Sequence, residues 1–115
     1  MPYLILKGAK DFICYTENVF NATENSNVRA MRTEDVIMHS EIVIGGSTIM
    51  FADSTEEFQP RTSGFFIYVE NADETHKKAI SEGGKAVSNV EDHPYGRSGG
   101  VEDPFGNVWW ITSVI

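Results

Sequence analysis

The spacing of apolar residues changes period several times along the chain. Tyr3 to Lys7 is short and apolar and predicts a strand. From Asp11 to Phe20, the residues Phe12, Tyr15, Thr16 and Val19 recur at three- and four-residue intervals, which predicts a helix with one buried face. Residues 22–31 are polar and predict at most an irregular strand. Ile37 to Ile44 predicts a strand, Gly45-Gly46 a tight hairpin turn, and Ser47 to Ala52 the returning strand.

The second half repeats that order. Phe65 to Glu70 predicts a strand. Asn71 caps a predicted helix from Ala72 to about Glu82, with Glu74 as its capping-box partner and Gly83-Gly84 as its stop. Lys85 to Val90 and Arg97 to Glu102 predict two more strands. Asp103-Pro104-Phe105-Gly106 then forms a turn, in which Pro104 fixes φ and Gly106 tolerates φ > 0. Val108 to Ile115 predicts the last strand. The repeat implies one domain, residues 1–115, made of two fused modules at about 1–53 and 63–115. The polar segment 54–62, with Pro60, reads as the linker between them.

Alternation then assigns faces, because side chains two apart on a strand share one. Met38, Ile42 and Ile44, with small Ser40, are expected to face the helices, leaving His39, Glu41 and Val43 on the other side. Ile49 and Phe51 are expected inward, and Thr48 and Met50 outward. In the second half, Phe66, Tyr68, Val108, Trp110 and Thr112 share the face away from the helix, and Trp109 belongs to the core. The expected open surface is aromatic and apolar, with one polar pair.

Composition narrows the function classes. With 115 residues and 41% apolar content, the chain is long enough for one core. No apolar run reaches the ~18 residues of a membrane span, and no signal-peptide pattern is visible. The single cysteine, Cys14, fits a reducing cytoplasm and reads as a small buried hydrophobe of the first helix. A net charge of −8 argues against nucleic acid as a partner. The acidity reads either as a solvated surface or as attraction for a cationic ligand such as a basic drug.

Three segments carry a resemblance to a known family: Pro2-Tyr3-Leu4-Ile5-Leu6-Lys7-Gly8-Ala9, Ile37-Met38-His39-Ser40-Glu41-Ile42-Val43-Ile44-Gly45, and Gly100-Val101-Glu102-Asp103-Pro104-Phe105-Gly106-Asn107-Val108-Trp109-Trp110. With the repeated element order, they resemble the vicinal-oxygen-chelate superfamily of glyoxalase I, fosfomycin and bleomycin resistance proteins and extradiol dioxygenases. They look most like its PhnB-like branch. The resemblance implies an α+β fold in which two βαβββ modules form cupped mixed sheets with helices on the convex face, and it implies a homodimer. Metal-using members take their ligands from the first and last strands of each half. Aligned on strands and turns, those positions fall near Pro2, at Met50, near Gly64 and at Trp110. None is a carboxylate or an imidazole, the donors a hard divalent ion needs, so neither a metal nor another cofactor is expected.

The remaining chemistry centres on His39 and Glu41, about 7 Å apart along one strand at ~3.3 Å per residue. The pair suits acid–base catalysis, a metal with a third ligand from elsewhere, or simple hydrogen bonding to a neighbouring strand or loop. Met50, Phe66, Tyr68 and Trp110 are candidate ligand contacts, or they fill the cup themselves. In the loop His93–Arg97, Tyr95 and Arg97 are candidate contacts by resemblance to related proteins, with Arg97 suited to carboxylate or phosphonate oxygens. That loop reads equally as ordinary surface. His76 is expected to be structural or solvent-facing. Three functions stay open: metal-independent binding of a small organic molecule in an aromatic cup, a glyoxalase-like lyase, isomerase or dioxygenase using His39 and Glu41, or an interacting subunit whose cup is self-filled.

Overall fold

The computed structural model describes residues 1–114. The chain divides into two compact units between Thr62 and Ser63. The first contains β1 (Tyr3–Leu6), α1 (Ala9–Phe20), β2 (Thr23–Glu24), a 3-10 turn (Ser26–Val28), β3 (Ala30–Met31), β4 (Ile37–Ile44) and β5 (Ser47–Asp53). Its sheet runs β1-β5-β4-β2, with β3 also on β4. The second contains β6 (Gly64–Tyr68), α2 (Ala72–Ser81), β7 (Lys85–His93), β8 (Gly96–Glu102) and β9 (Val108–Ser113), in the order β6-β9-β8-β7. In each unit the first strand pairs parallel with the last, and the other pairings are antiparallel. The α+β, two-module architecture is therefore the one the sequence predicts. The final strand, expected to reach Ile115, is observed to Ser113, and Ile115 lies outside the described residues. Neither helix among the described residues is long and apolar enough to cross a membrane.

The first unit packs α1 on one face of its sheet. Phe12, Ile13, Thr16, Val19 and Phe20 are buried, and Phe12 meets Phe51 edge-on with ring centroids 5.2 Å apart. Cys14 is exposed, contrary to the expectation from its apolar neighbours. At about 100° per residue it points away from the stripe that Phe12 and Thr16 define. The helix begins at Ala9, two residues earlier than periodicity predicts, because its cap comes from another element. The Asp53 carboxylate, at the end of β5, accepts the backbone N–H groups of Gly8 and Ala9 at 3.2 and 2.8 Å and that of Ile37 at 2.7 Å. A carboxylate at a helix N-terminus satisfies orphan donors and complements the dipole.

Gly45 and Gly46, with φ of 53° and 86°, form the two-residue hairpin turn between β4 and β5. At the other end of β4 the pairing with β3 shifts register, since Ala30 faces His39 but Met31 faces Ile37. The extra residue, Met38, is a bulge. Ile37 is therefore fully buried and Met38 is exposed, which corrects the inward placement that strict alternation gives it. Nearby, Arg29 pairs bidentately with Glu24, and the Ser40 hydroxyl donates to Glu24 at 2.7 Å. The Arg29 guanidinium, helped by that hydroxyl, holds the Glu24 carboxyl below its ordinary value. Segment 54–62, expected as a free linker, folds back on β1. Ser54 N–H donates to the Leu6 carbonyl at 2.8 Å, and Ile5 and Arg61 exchange both backbone hydrogen bonds at 3.0 and 2.7 Å.

The second unit is organised by a buried carboxylate at its last turn. Asp103 is 3% exposed. Its Oδ1 accepts the backbone N–H groups of Phe105 and Asn107, both at 2.9 Å. Its Oδ2 accepts Asn107 Nδ2 at 3.0 Å and Trp109 Nε1 at 2.8 Å. Asn107 in turn accepts the Ser63 N–H at 3.0 Å, tying the start of β6 to the turn. Gly106 closes the turn at φ 94°, as the Asp-Pro-Phe-Gly string predicts. Asn71 caps α2 by accepting the Glu74 N–H at 3.1 Å. His76, on the sheet side of α2, contacts the Ser88 carbonyl through Nε2 at 3.0 Å, a structural role.

The Asp103 hub predicts a large stability loss on truncation. Asp103→Ala removes the acceptor of four hydrogen bonds at the turn, and losing a buried acceptor costs about 1–3 kcal/mol per donor. Urea unfolding should therefore show a loss of at least ~3 kcal/mol, and a loss under about 1 kcal/mol would contradict this account.

Candidate functional site

On the first unit, β4 and β5 present His39, Glu41 and Met50 on the face opposite α1. Glu41 lies directly across from Met50. His39 Nε2 and Glu41 Oε2 are 3.9 Å apart, and both side chains are partly exposed. This separation suits an ion pair when His39 is protonated and is too long for a hydrogen bond. The same face carries a second concavity of about 230 Å³, lined by Tyr3, Ile5, Met38 and Phe58 among others.

On the second unit, register brings the predicted aromatics together. Phe66 lies opposite Trp110 and Tyr68 opposite Thr112, on the face away from α2. Phe66 meets Tyr68 with centroids 5.4 Å apart and Tyr95 at 5.9 Å, and Tyr95 stacks flat on His93 at 5.1 Å. Phe66, Tyr68, Tyr95 and Trp110 remain exposed, between 39% and 62%. Trp109, one residue before, is 1% exposed and stacks on Phe65 at 4.6 Å. Alternation therefore splits the tryptophan pair: one ring in the core, one on the open face.

Trp110 lies over β8 because of a glycine. A Cβ placed on Gly100 would stand 2.6 Å from Trp110 Cζ3 and 2.9 Å from Cε3. Beside this ring is a concavity of about 180 Å³, with Glu91, His93, Tyr95, Ser98 and Trp110 on its wall. Ser98 Oγ and Thr112 Oγ1 satisfy each other at its base, 2.8 Å apart. Ser88, Asn89, Glu91 and Ser98 are wall residues that sequence reasoning missed. Between Ala86 and Glu91, β7 spends two more residues than β8 does opposite it, so two bulges reset its alternation. The only sequence hint was a long polar strand before Pro94-Tyr95-Gly96.

Arg97 is not brought to this face. It shares the α2 side with Gly99, whose built Cβ would touch His76. Its Nε and one terminal nitrogen grip Asp73 at 2.7 and 3.0 Å, and the other meets Asp92 at 3.0 Å. Asp73, and then Asp92, raise the Arg97 pKa further, while Arg97 lowers that of Asp73. Arg97, expected to meet ligand carboxylate or phosphonate oxygens, is engaged here by Asp73 and Asp92 and ties α2 to the β7–β8 hairpin.

The profile of the Glyoxalase/Bleomycin resistance protein/Dioxygenase superfamily matches residues 11–111. The chain belongs to this superfamily. No curated protein matches it by sequence. Among solved structures it is similar to TioX from Micromonospora sp. ML1, with TM-score 0.78, 19% identity, and coverage of 98% of this chain and 95% of that one. It is also similar to the PhnB protein from Bacillus cereus, with TM-score 0.76, 18% identity, and coverage of 99% and 98%. TnmS3, an antibiotic binding protein from Streptomyces sp. CB03234, matches with TM-score 0.72, 13% identity, and coverage of 98% and 92%. At these identities the likeness establishes the fold.

The family's metal chemistry does not fit the residues in place. Met50 pairs with Tyr3, Gly64 with Val108 and Trp110 with Phe66, so the aligned ligand positions offer a thioether, a backbone and an indole. Among the described residues no group of three or more His, Cys, Asp or Glu is placed to hold a metal ion. A hard divalent cation needs oxygen or imidazole donors that these positions lack.

The Gly100 contact generates a direct test. Gly100→Ala should leave the fold intact, because the Trp110 ring is half-exposed and can swing away. The indole resonance of Trp110 should move while that of Trp109 stays. An unchanged Trp110 resonance would contradict the packing.

Proposed function

We propose that this protein binds a small organic molecule on the aromatic face of its second unit without help from a metal. The observation that carries the reading is the cluster of exposed rings, Phe66, Tyr68, Tyr95 and Trp110, beside a polar-walled concavity. Such rings are usually buried, and exposed together they offer flat apolar area for stacking. The family includes bleomycin resistance proteins, and one structural neighbour is an antibiotic binding protein, which agrees with a binding role. The homodimer implied by the sequence resemblance belongs to the same reading.

Acridine, a flat tricyclic heteroaromatic, serves as a probe. It should quench the exposed-tryptophan emission saturably, and Trp110→Ala and Phe66→Ala should each weaken binding about five- to thirtyfold, since a lost stacking partner is worth roughly 1–2 kcal/mol. Prior treatment with chelator should leave the affinity unchanged. Unaltered binding by both variants would remove the aromatic face from the account, and loss of binding on chelation would overturn metal independence.

A second reading rests on His39 and Glu41, whose 3.9 Å approach on an accessible face suits proton transfer to a bound substrate. Turnover of a glyoxalase-type hemithioacetal that disappears in His39→Gln would favour it. Absence of turnover would leave the binding role alone.

A further inference from the structure

The geometry points to a positively charged, planar aromatic ligand at the β7–β8 end of the second unit's open face. This inference rests on the reading that the aromatic face binds a small organic molecule, and it adds the sign of that molecule's charge.

Glu91 supplies the carboxylate of the concavity, and Tyr95 and Trp110 supply its rings. Ser88, Asn89 and Ser98 add neutral polar groups, and the His93 imidazole, stacked flat on Tyr95, completes the wall. Arg97, at the start of β8, is turned to the opposite face, with its guanidinium occupied by Asp73 and Asp92. Among the described residues no Lys or Arg forms a salt bridge with Glu91. Lys85, which register places on the same face, sits opposite Glu102. That position is four residues along β8 from Ser98, roughly 13 Å at ~3.3 Å per residue. The wall thus has a carboxylate without a lysine or arginine partner among the described residues, and two aromatic rings beside it.

Each part favours the same ligand. A cation over the face of Trp or Tyr is attracted by the ring quadrupole, most strongly when water is excluded. Glu91 adds a direct Coulombic attraction, and the net charge of −8 steers cations toward the protein as a whole. An anion would meet Glu91 with no lysine or arginine on the wall to offset it. The segregation of Arg97 is therefore a specificity feature: its guanidinium holds α2, and the ligand side keeps Glu91 with no lysine or arginine on the wall.

Three probes of one tricyclic outline separate shape from charge: N-methylacridinium, acridine and acridine-9-carboxylate. Affinities are measured at pH 8 on the wild type, Glu91→Gln and Trp110→Ala. The wild type should bind N-methylacridinium about tenfold more tightly than acridine, the scale of a cation–π contact plus one nearby carboxylate, and acridine-9-carboxylate most weakly. Glu91→Gln should cut the preference for the cation over acridine several-fold, leaving only the part the rings supply. Equal binding of cation and neutral probe by the wild type, or a preference undiminished in Glu91→Gln, would overturn the inference. In that case, weakened acridine binding in Trp110→Ala would still support the aromatic site. If none of the three probes binds in a Trp110-dependent way, the inference and the binding reading both fall.

Discussion

The Asp103 carboxylate is withdrawn from water and meets four donors, two from backbone and two from side chains. Burying a carboxylate is costly unless its acceptor sites are filled, and here the turn supplies the donors within six residues of chain. The interaction closes the β8–β9 connection and engages Asn107, which holds the start of β6. It also fixes the Trp109 indole in the core. With Trp109 fixed inward, strand alternation sends Trp110 outward, and Gly100 clears the space where its ring lies. The open aromatic face is thus a geometric consequence of a buried carboxylate in the turn that leads into the same strand.

The first unit uses a carboxylate in a different way. Asp53 joins the end of β5 to the start of α1 and to the first residue of β4. In both units one acidic side chain satisfies backbone donors that secondary structure alone leaves unpaired. Part of the chain's acidity therefore has a structural use. Glu91 is different, because among the described residues no lysine or arginine pairs with it.

Most of the fold was legible because its signals are local. Two glycines between β4 and β5 need positive φ, Asn71 precedes an amphipathic run, and Asp-Pro-Phe-Gly specifies a turn. Alternation placed His39, Glu41, Met50, Phe66, Tyr68 and Trp110 on open faces because their strands are regular where these residues sit. It failed where strands bulge. Met38 left the core for that reason, and Ser88, Asn89 and Glu91 entered the concavity unannounced. The partner of Arg97, Asp73, lies 24 residues away on a helix, and no local pattern reports such a contact. Cys14 has apolar neighbours in sequence, but its helical phase turns it outward.

The two adjacent tryptophans offer the most direct measurement. In a nitrogen-15 spectrum each indole N–H gives its own resonance, one from a buried hydrogen-bonded ring and one from the open face. On titration with N-methylacridinium, the Trp110 indole resonance should shift saturably together with the backbone amides of β7 and β8, while that of Trp109 holds still. Saturable shifts that cluster elsewhere, with Trp110 unmoved, would contradict the account.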